Sequence, residues 1–261
     1  MTHPRGSNEP MKAITIPPEK GELVLCASAT ELGRRAAEFF ADTAQATVRR
    51  AATFSVALSG GSTPELMYQQ LAGTGLRERV PWAQVEYFWS DERCVPPEHP
   101  DSNYGLAERA LLSKIPVSRE RVHRMRGEIE PERAAAEYEQ ELRQAFRVEA
   151  PVLPRFDLLL LGMGDDGHTA SLFPGSPALD EATRLVAANY VKKFNTHRLT
   201  LTFPAINAAR NVVFLVSGAK KAPALRQVMR GGRTPVPAER VHPQDGRSIW
   251  LVDEAAAAQL E

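Results

Sequence analysis

The chain has 261 residues, of which 43% are hydrophobic, so it is long enough to bury a large core as one α/β domain. Its 32 basic and 32 acidic residues cancel, which excludes a global field that would attract nucleic acid or an anionic membrane. The two cysteines, Cys26 and Cys94, form neither a metal-binding spacing nor a disulfide framework, and no apolar signal segment opens the sequence. We therefore expect a cytoplasmic protein with a small-molecule substrate and no nucleic-acid or membrane partner.

The first fifth of the chain is predicted to contain an extension, a strand and a long helix. Residues 1–18 carry several prolines among polar residues, which predicts a loosely ordered extension before a domain at 19–261. The apolar run at Glu22–Cys26 predicts the first strand. Ser28, followed three residues later by Glu31, predicts the start of a helix that continues to about residue 50.

A second apolar run is followed at once by small residues. Residues 54–58 predict a strand, and an amphipathic helix begins directly after residues 59–63. Glycines there let backbone N–H groups point outward at the positive end of that helix, which predicts a phosphate-binding loop. The alternative is plain helix initiation, with Ser62 and Glu65 as a capping box or Thr63 as the N-cap. The expected loop residues are Ser59, Gly60, Gly61, Ser62 and Thr63.

Further apolar runs define the expected fold. Runs at 85–89, 156–161 and 212–216 also end in polar residues or glycine, and a strand at 248–252 precedes an alanine-rich final helix. Such near-continuous runs are typical of parallel strands buried on both faces. The pattern predicts a single-domain α/β fold with a mostly parallel, open, Rossmann-like sheet and helices on both faces. The carboxyl ends of its strands should share one pocket.

Two segments between these strands have distinctive composition. Residues 131–146 are rich in alanine and charge, which predicts a helix with a solvated face. Residues 96–104 contain too many prolines for a helix or a central strand, so we expect a loop over or near the pocket. We interpret His99 in this loop as structural.

The glycine-rich segment after residues 156–161 contains the main catalytic candidates. Asp166 and His168 lie two residues apart, where the chain turns away from a buried strand. A histidine can serve as both base and acid near neutral pH, although a histidine at a turn can equally be an ordinary polar residue. The Gly-x-Gly at 162–164 lacks the spacing and the later acidic residue of a dinucleotide-binding fingerprint. The segment 59–63 likewise lacks the Gly-Lys-Ser/Thr of a nucleotide-binding Walker A loop.

Taken together and in order, these motifs resemble the 6-phosphogluconolactonase family of the glucosamine/galactosamine-6-phosphate isomerase superfamily. The resemblance extends from about residue 20 to the closing strand and includes five motifs: LSGGSTP at 58–64, SDER at 90–93, DSNY at 101–104, GMGDDGHTASLFP at 162–174 and RLTLT at 198–202. It implies a glucosamine-6-phosphate-deaminase-like fold. It also implies hydrolysis of 6-phospho-D-glucono-1,5-lactone to 6-phosphogluconate, in the second step of the oxidative pentose phosphate pathway, without cofactor or metal.

Lactone hydrolysis suggests roles for the catalytic candidates. An activated water must attack the ester carbon and the ring oxygen must be protonated, and His168 could do both in turn. Asp166 would orient the imidazole or stabilise its cationic form. Arg93, or backbone N–H groups at 162–164, would stabilise the developing oxyanion.

The resemblance also assigns substrate-binding residues. Arg198 and Lys220 match positions that hold the sugar phosphate in this superfamily, together with the loop at 59–63. The alternative for Arg198 is a salt bridge at a strand end, and the neighbouring Lys221 leaves open which lysine meets the anion. The other expected pocket residues are Asp91, Asn103 and Gly164.

Two other functions were weighed against hydrolysis. Glucosamine-6-phosphate deaminases share the loop and the Asp-Gly-His sequence, but their pattern has a glutamate five residues after the histidine, where this chain has Phe173. A sugar-phosphate sensor would need a DNA-binding module or a degraded motif, whereas no helix-turn-helix precedes Glu22 and His168 is intact. We expect a monomer or a weak homo-oligomer.

Overall fold

The structure is a computed structural model that describes residues 14–232 and 234–260. These residues form nine strands: β1 (Glu22–Cys26), β2 (Phe54–Leu58), β3 (Val85–Trp89), β4 (Asp91–Arg93), β5 (Leu158–Gly162), β6 (Val186–Val191), β7 (Thr196–Leu201), β8 (Asn211–Val216) and β9 (Arg247–Asp253). They also form eight α-helices: α1 (Ala29–Val48), α2 (Ser62–Ala72), α3 (Thr74–Arg77), α4 (Asn103–Ala110), α5 (Pro131–Phe146), α6 (Phe203–Asn207), α7 (Ala222–Arg230) and α8 (Glu254–Ala257).

Six strands form a parallel sheet in the order β1-β9-β8-β5-β2-β3. Successive side chains of each strand alternate between two hydrophobic clusters, as Leu158 and Leu160 lie in one and Leu159 and Leu161 in the other. Helices α1, α2 and α4 contribute to one cluster, and α5, α6, α7 and α8 to the other. The predicted α/β fold, with helices on both faces of a mostly parallel sheet, is confirmed.

The other three strands form an antiparallel sheet in the order β4-β7-β6, which the sequence did not lead us to expect. The polar segment after β3 is itself a strand, because the chain continues from β3 through Ser90 into β4. Ser90 joins the two sheets: its N–H donates to Leu58 O, and its carbonyl oxygen accepts from Leu201 N. The small sheet therefore stands at the carboxyl ends of the large sheet's strands.

The helix starts show which capping predictions hold. Ser28 Oγ accepts a hydrogen bond from Glu31 N, and the Glu31 carboxylate accepts one from Ala27 N, so the predicted start of α1 is confirmed. Helix α2 instead begins at Ser62 with Gly61 as its N-cap, and no side chain caps it. The capping alternatives for Ser62 and Thr63 are therefore wrong.

One of the two segments between the strands differs from the structure at its end. Asn103 and Tyr104, expected in the proline-rich loop, form the first turn of α4, because Ser102 Oγ caps that helix by accepting from Gly105 N. The helix predicted at 131–146 is confirmed.

The described residues begin inside the predicted N-terminal extension, most of which, 1–13, lies outside them. Ile14 and Ile16 pack against the cluster that contains α5, so this part of the extension contacts the domain. No helix in the described part of the chain is long and apolar enough to cross a membrane.

Candidate active site

A cavity of about 300 Å³ opens where β2, β5 and β8 end and the small sheet begins. It brings together segments that are more than 100 residues apart in the chain. Nine of the residues expected from the sequence line it: Ser59, Gly60, Gly61, Asp91, Arg93, Asn103, Gly164, His168 and Arg198. The imidazole and the small-residue loop therefore face one shared space.

The imidazole of His168 is held on two sides. Its Nδ1 lies 2.5 Å from Asp166 Oδ1, which also accepts the His168 backbone N–H at 3.1 Å. The other carboxylate oxygen of Asp166 accepts a hydrogen bond from Lys193 Nζ at 3.3 Å. The ring of Phe173 stacks on the imidazole, with centroids 4.0 Å apart. These contacts leave Nε2 as the imidazole nitrogen available to a ligand.

Asp166 is a permanent anion at neutral pH. Burial alone would raise its pKa, but the hydrogen bond and charge of His168, together with Lys193, hold the pKa well below its usual value. An ionised carboxylate can only accept hydrogen bonds, so the 2.5 Å contact places the proton on His168 Nδ1. This tautomer makes Nε2 the basic nitrogen.

Gly164 is required by the fold of this turn. A Cβ added there would lie 2.0 Å from His168 Nδ1 and 2.6 Å from Asp166 Oδ1. The Gly164 N–H donates to the carbonyl oxygen of His168 at 2.8 Å, which closes the turn. This N–H is therefore unavailable to a substrate oxyanion.

Two arginines form the cationic side of the cavity. Arg93 and Arg198 are direct partners across β4 and β7, and the Arg93 guanidinium donates to Asp101 O. Arg198 Nε is buried and has no hydrogen-bond partner among the residues described. Burial and the neighbouring Arg93 lower the pKa of Arg198. The expected alternative for Arg198, a strand-end salt bridge, is absent within 14–232 and 234–260, and an anionic ligand would satisfy this side chain.

The predicted phosphate loop is held close to α4. Ser59 N donates to Tyr68 Oη, which donates in turn to Ser59 O. A Cβ at Gly60 would lie 1.7 Å from Asn103 Oδ1, and Gly61 has φ +106°, so both positions require glycine. Ser62 is exposed and Thr63 half-buried, and neither is among the residues that line the cavity. The backbone at 59–61 is thus the part of the loop that a ligand meets.

A buried carboxylate network supports the floor of the cavity. Asp91 Oδ1 accepts from Asn103 Nδ2 at 3.1 Å, and Asp91 Oδ2 accepts from Ser171 Oγ at 2.7 Å. The adjacent Glu92 accepts the N–H groups of Asn103 and Tyr104 at the start of α4. Burial raises the pKa of Glu92, although these N–H groups oppose the rise. Asp91 and Asn103 are therefore fixed in place before a ligand binds.

Comparison with known proteins gives the family of the chain. Residues 27–250 match the family profile described as glucosamine-6-phosphate isomerases/6-phosphogluconolactonase. The chain belongs to this family. A relative named 6-phosphogluconolactonase from Synechocystis is 46% identical over 209 residues, which cover 79% of this chain and 84% of the relative. The human 6-phosphogluconolactonase is 38% identical, with 93% of this chain and 95% of that protein covered.

A solved structure extends the likeness to three dimensions. The 6-phosphogluconolactonase from Trypanosoma cruzi superposes with a TM-score of 0.82 at 30% identity, covering 93% of this chain and 98% of that one. The superposition therefore covers nearly the whole of both chains. The family's two named activities are therefore the ones to compare with this cavity.

The structure separates the residues that line the cavity from those that do not, and it adds some that the sequence did not indicate. Lys221 lines the cavity, whereas Lys220 is exposed and does not. Asp166 contacts the imidazole without being among the lining residues. Phe194 lines the cavity from the turn between β6 and β7. Asn195 follows Phe194, and because asparagine favours turns it could have indicated the hairpin. The other unassigned lining residues are Ala170 and Ser171.

Proposed function

We propose that this protein hydrolyses 6-phospho-D-glucono-1,5-lactone to 6-phosphogluconate, as in the second step of the oxidative pentose phosphate pathway. The observation that carries the proposal is that one cavity of about 300 Å³ contains the Asp166-supported imidazole of His168 and Arg198, whose buried Nε has no hydrogen-bond partner among the described residues. A phosphorylated sugar lactone has an anionic group at one end and a hydrolysable ester at the other. The names of the relatives agree with this substrate.

His168 acts first as a base and then as an acid. Its Nε2 removes a proton from water, and the resulting hydroxide attacks the lactone carbonyl carbon. The imidazolium that forms is stabilised by Asp166, which accepts the Nδ1 proton in a hydrogen bond without taking it. When the tetrahedral intermediate collapses, the Nε2 proton passes to the ring oxygen as its bond to the carbonyl carbon breaks. Water is the only co-substrate.

Arg93 is the group we assign to the developing oxyanion. The Gly164 N–H is already bonded to His168 O, which removes one of the backbone N–H groups at 162–164 from this role. Arg93 lines the cavity and has donors besides the one that contacts Asp101 O. A fixed cation at this position stabilises negative charge on the carbonyl oxygen.

The substrate phosphate binds on the cationic side of the cavity. Arg198 and the backbone at 59–61 hold it, with Lys221 rather than Lys220 as the supporting lysine, because Lys221 lines the cavity. Asp91 and Asn103 offer hydrogen bonds to the sugar hydroxyl groups. We further propose a cytoplasmic protein that works as a monomer or a weak homo-oligomer, with both cysteines as free thiols.

Deamination of glucosamine 6-phosphate is disfavoured by Phe173. That reaction moves a proton between carbon atoms and needs an additional acid–base group beside the histidine. The side chain that contacts the face of the imidazole here is an aromatic hydrocarbon, which exchanges no protons. A sensor without chemistry is disfavoured by the Asp166–His168 contact, which a binding module does not need.

The direct test follows 6-phosphogluconate formation from freshly prepared lactone at slightly acidic pH, where the spontaneous reaction is slow. We expect the His168→Ala variant to lose about 10²-fold or more in kcat, with little change in KM. His242→Ala, which removes an exposed histidine outside the cavity, is the matched control and should retain activity. Full activity in His168→Ala would remove the assigned role. A wild-type protein that turns over glucosamine 6-phosphate as fast as lactone would overturn the proposed function.

A further inference from the structure

Phe194 is a large apolar side chain at the mouth of a polar cavity. It lies in the turn that joins β6 to β7, at the end of the short 3-10 segment Lys192–Phe194, and 48% of its surface is exposed. The next residue, Asn195, has φ 50°, a left-handed conformation that turns the chain sharply back into β7. An exposed phenylalanine is unfavourable in water, so a contact that covers it on ligand binding would be favourable.

The ring of Phe194 contacts groups from both the catalytic and the binding part of the cavity. It meets Phe173 edge to face, with centroids 5.8 Å apart, and Phe173 in turn stacks on His168. The guanidinium of Arg198 lies 5.5 Å from the centroid of the Phe194 ring. Phe194 is therefore the part of the cavity wall that touches both the ring beside the imidazole and the cation that we assign to the phosphate. The part of a ligand that must lie against this wall is its carbon skeleton.

From this position we propose that Phe194 is a specificity-determining residue, which packs against the C–H face of the closed lactone ring and distinguishes it from the open-chain acid. The inference rests on the proposed lactonase function. A closed ring presents several C–H groups as one rigid, nearly flat surface, which an aromatic ring can cover. Hydrolysis opens the ring into a flexible chain with a new hydroxyl and a carboxylate, and that surface is lost.

The consequence is a difference between substrate and product. Both carry the same phosphate, so Arg198 and Lys221 contribute to the binding of each. The contact with Phe194 contributes to the binding of the lactone alone. The product is then held by fewer contacts than the substrate, which favours its release.

The experiment compares the KM for lactone with the inhibition constant of 6-phosphogluconate in the same variants. For Phe194→Ala we expect KM to rise about five- to tenfold, the effect of losing the burial of part of one aromatic ring, while the inhibition constant changes less than about twofold. Phe194→Tyr, which keeps the ring, should restore the wild-type KM. Val152→Ala, at an exposed apolar residue outside the cavity, should change neither value.

The outcomes separate this inference from its alternatives. A parallel rise in both constants would overturn it, since Phe194 would then act through Arg198 and the phosphate. Unchanged constants would overturn it as well, because no ring contact would exist. Phe194→Leu is a second variant that keeps an apolar side chain in the turn, and it should show an intermediate KM. Lactone turnover by the wild-type protein is measured in parallel, so a failure of the proposed function appears there and not in the ratio of the constants.

Discussion

The two sheets of this protein differ in composition and in what they contribute to the cavity. The four inner strands of the six-stranded sheet are almost fully buried and largely apolar, as in β2, where all five residues are buried. The strands of the three-stranded sheet contain more polar residues, and β4 consists of Asp-Glu-Arg. The turn after β5 supplies the imidazole and its carboxylate, whereas β4 and β7 supply the two arginines.

This difference suggests a division of labour. A parallel sheet with both faces covered holds the turns at its strand ends rigidly, which suits groups that must be positioned for chemistry. The small sheet has strands whose side chains reach both the core and the cavity, which suits groups that bind a charged ligand. Changes at the turn after β5 should then act mainly on kcat, and changes at Arg198 on β7 mainly on KM.

The largest effect on the small sheet is expected at Arg198. Removing a charged, bidentate donor to phosphate costs about 1.5–3 kcal/mol, so Arg198→Ala should raise KM roughly 10- to 100-fold and lower kcat much less. Steady-state kinetics over a range of lactone concentrations measures both. The KM of Arg198→Lys should lie between those of the wild type and Arg198→Ala, because lysine keeps the charge but not the planar pair of donors. An Arg198→Ala variant that lost kcat at unchanged KM would contradict the assignment of Arg198 to the phosphate.

At Gly164 the large sheet's contribution is tested without removing any functional group. The Cβ of Gly164→Ala would overlap His168 Nδ1 and Asp166 Oδ1, so the imidazole must move. We expect kcat to fall about tenfold or more with little change in KM, because displacement of a catalytic group by about 1 Å can cost 10²-fold. Gly75→Ala, where a Cβ meets nothing within 4 Å, is the control for a glycine substitution. Wild-type kcat in Gly164→Ala would show that the turn tolerates displacement.

A smaller effect distinguishes two adjacent lysines. Lys221 lines the cavity and Lys220 is exposed, so Lys221→Ala should raise KM about fivefold, as expected for losing one partly solvated charge near the phosphate. Lys220→Ala should change KM less than about twofold. Both are measured with lactone at low salt, where exposed charges have their greatest effect. A larger rise in KM for Lys220→Ala than for Lys221→Ala would instead support Lys220, the residue that the family resemblance assigned.

The sequence predicted the large sheet well for a physical reason. Buried parallel strands are continuous apolar runs, and β2, β3 and β8 were found because almost every residue in them avoids water. The strands β4, β6 and β7 were not predicted because each contains polar residues that interrupt the apolar pattern, and Asp91, Arg93 and Arg198 among them line a cavity that forms only when the chain folds. Thr196–Leu201, for example, is polar and half-buried at its start and apolar and buried at its end.

The candidate site shows the same limit. The positions of His168, Arg93 and Arg198 around one cavity could be expected from strand ends and motifs. The choice between Lys220 and Lys221 could not, because it depends on how the short 3-10 turn at Ala219–Lys221 rotates before α7. Phe194 could not be assigned either, since its role depends on a hairpin that brings it against Phe173.

The smallest expected effect on activity is at the far edge of the large sheet, where a histidine stabilises the scaffold. His123 stacks on Phe88 and lies between Glu141 at 2.9 Å and Glu86 at 3.0 Å, the latter also bound by Arg121. Burial disfavours the charged imidazole, but the two carboxylates raise the pKa of His123 to about 9. In the unfolded chain a histidine has a pKa of about 6.5, so this stabilisation is complete below that pH and is lost as the pH rises through about 9.

The variant His123→Gln should therefore lower the free energy of unfolding by roughly 1–2 kcal/mol at pH 6 and by much less near pH 9.5. Urea unfolding of the wild type and the variant at both pH values measures these free energies. Subtracting the variant's value from the wild-type value at each pH cancels the contribution of groups that titrate equally in the two proteins. Since His123 does not line the cavity, kcat and KM at 25 °C should stay within about twofold of wild type. A loss of stability that is equal at both pH values would show that packing on Phe88, and not the charge shared with Glu86 and Glu141, is what His123 contributes. A change in kcat would show that the edge of the large sheet and the turn carrying His168 are mechanically connected.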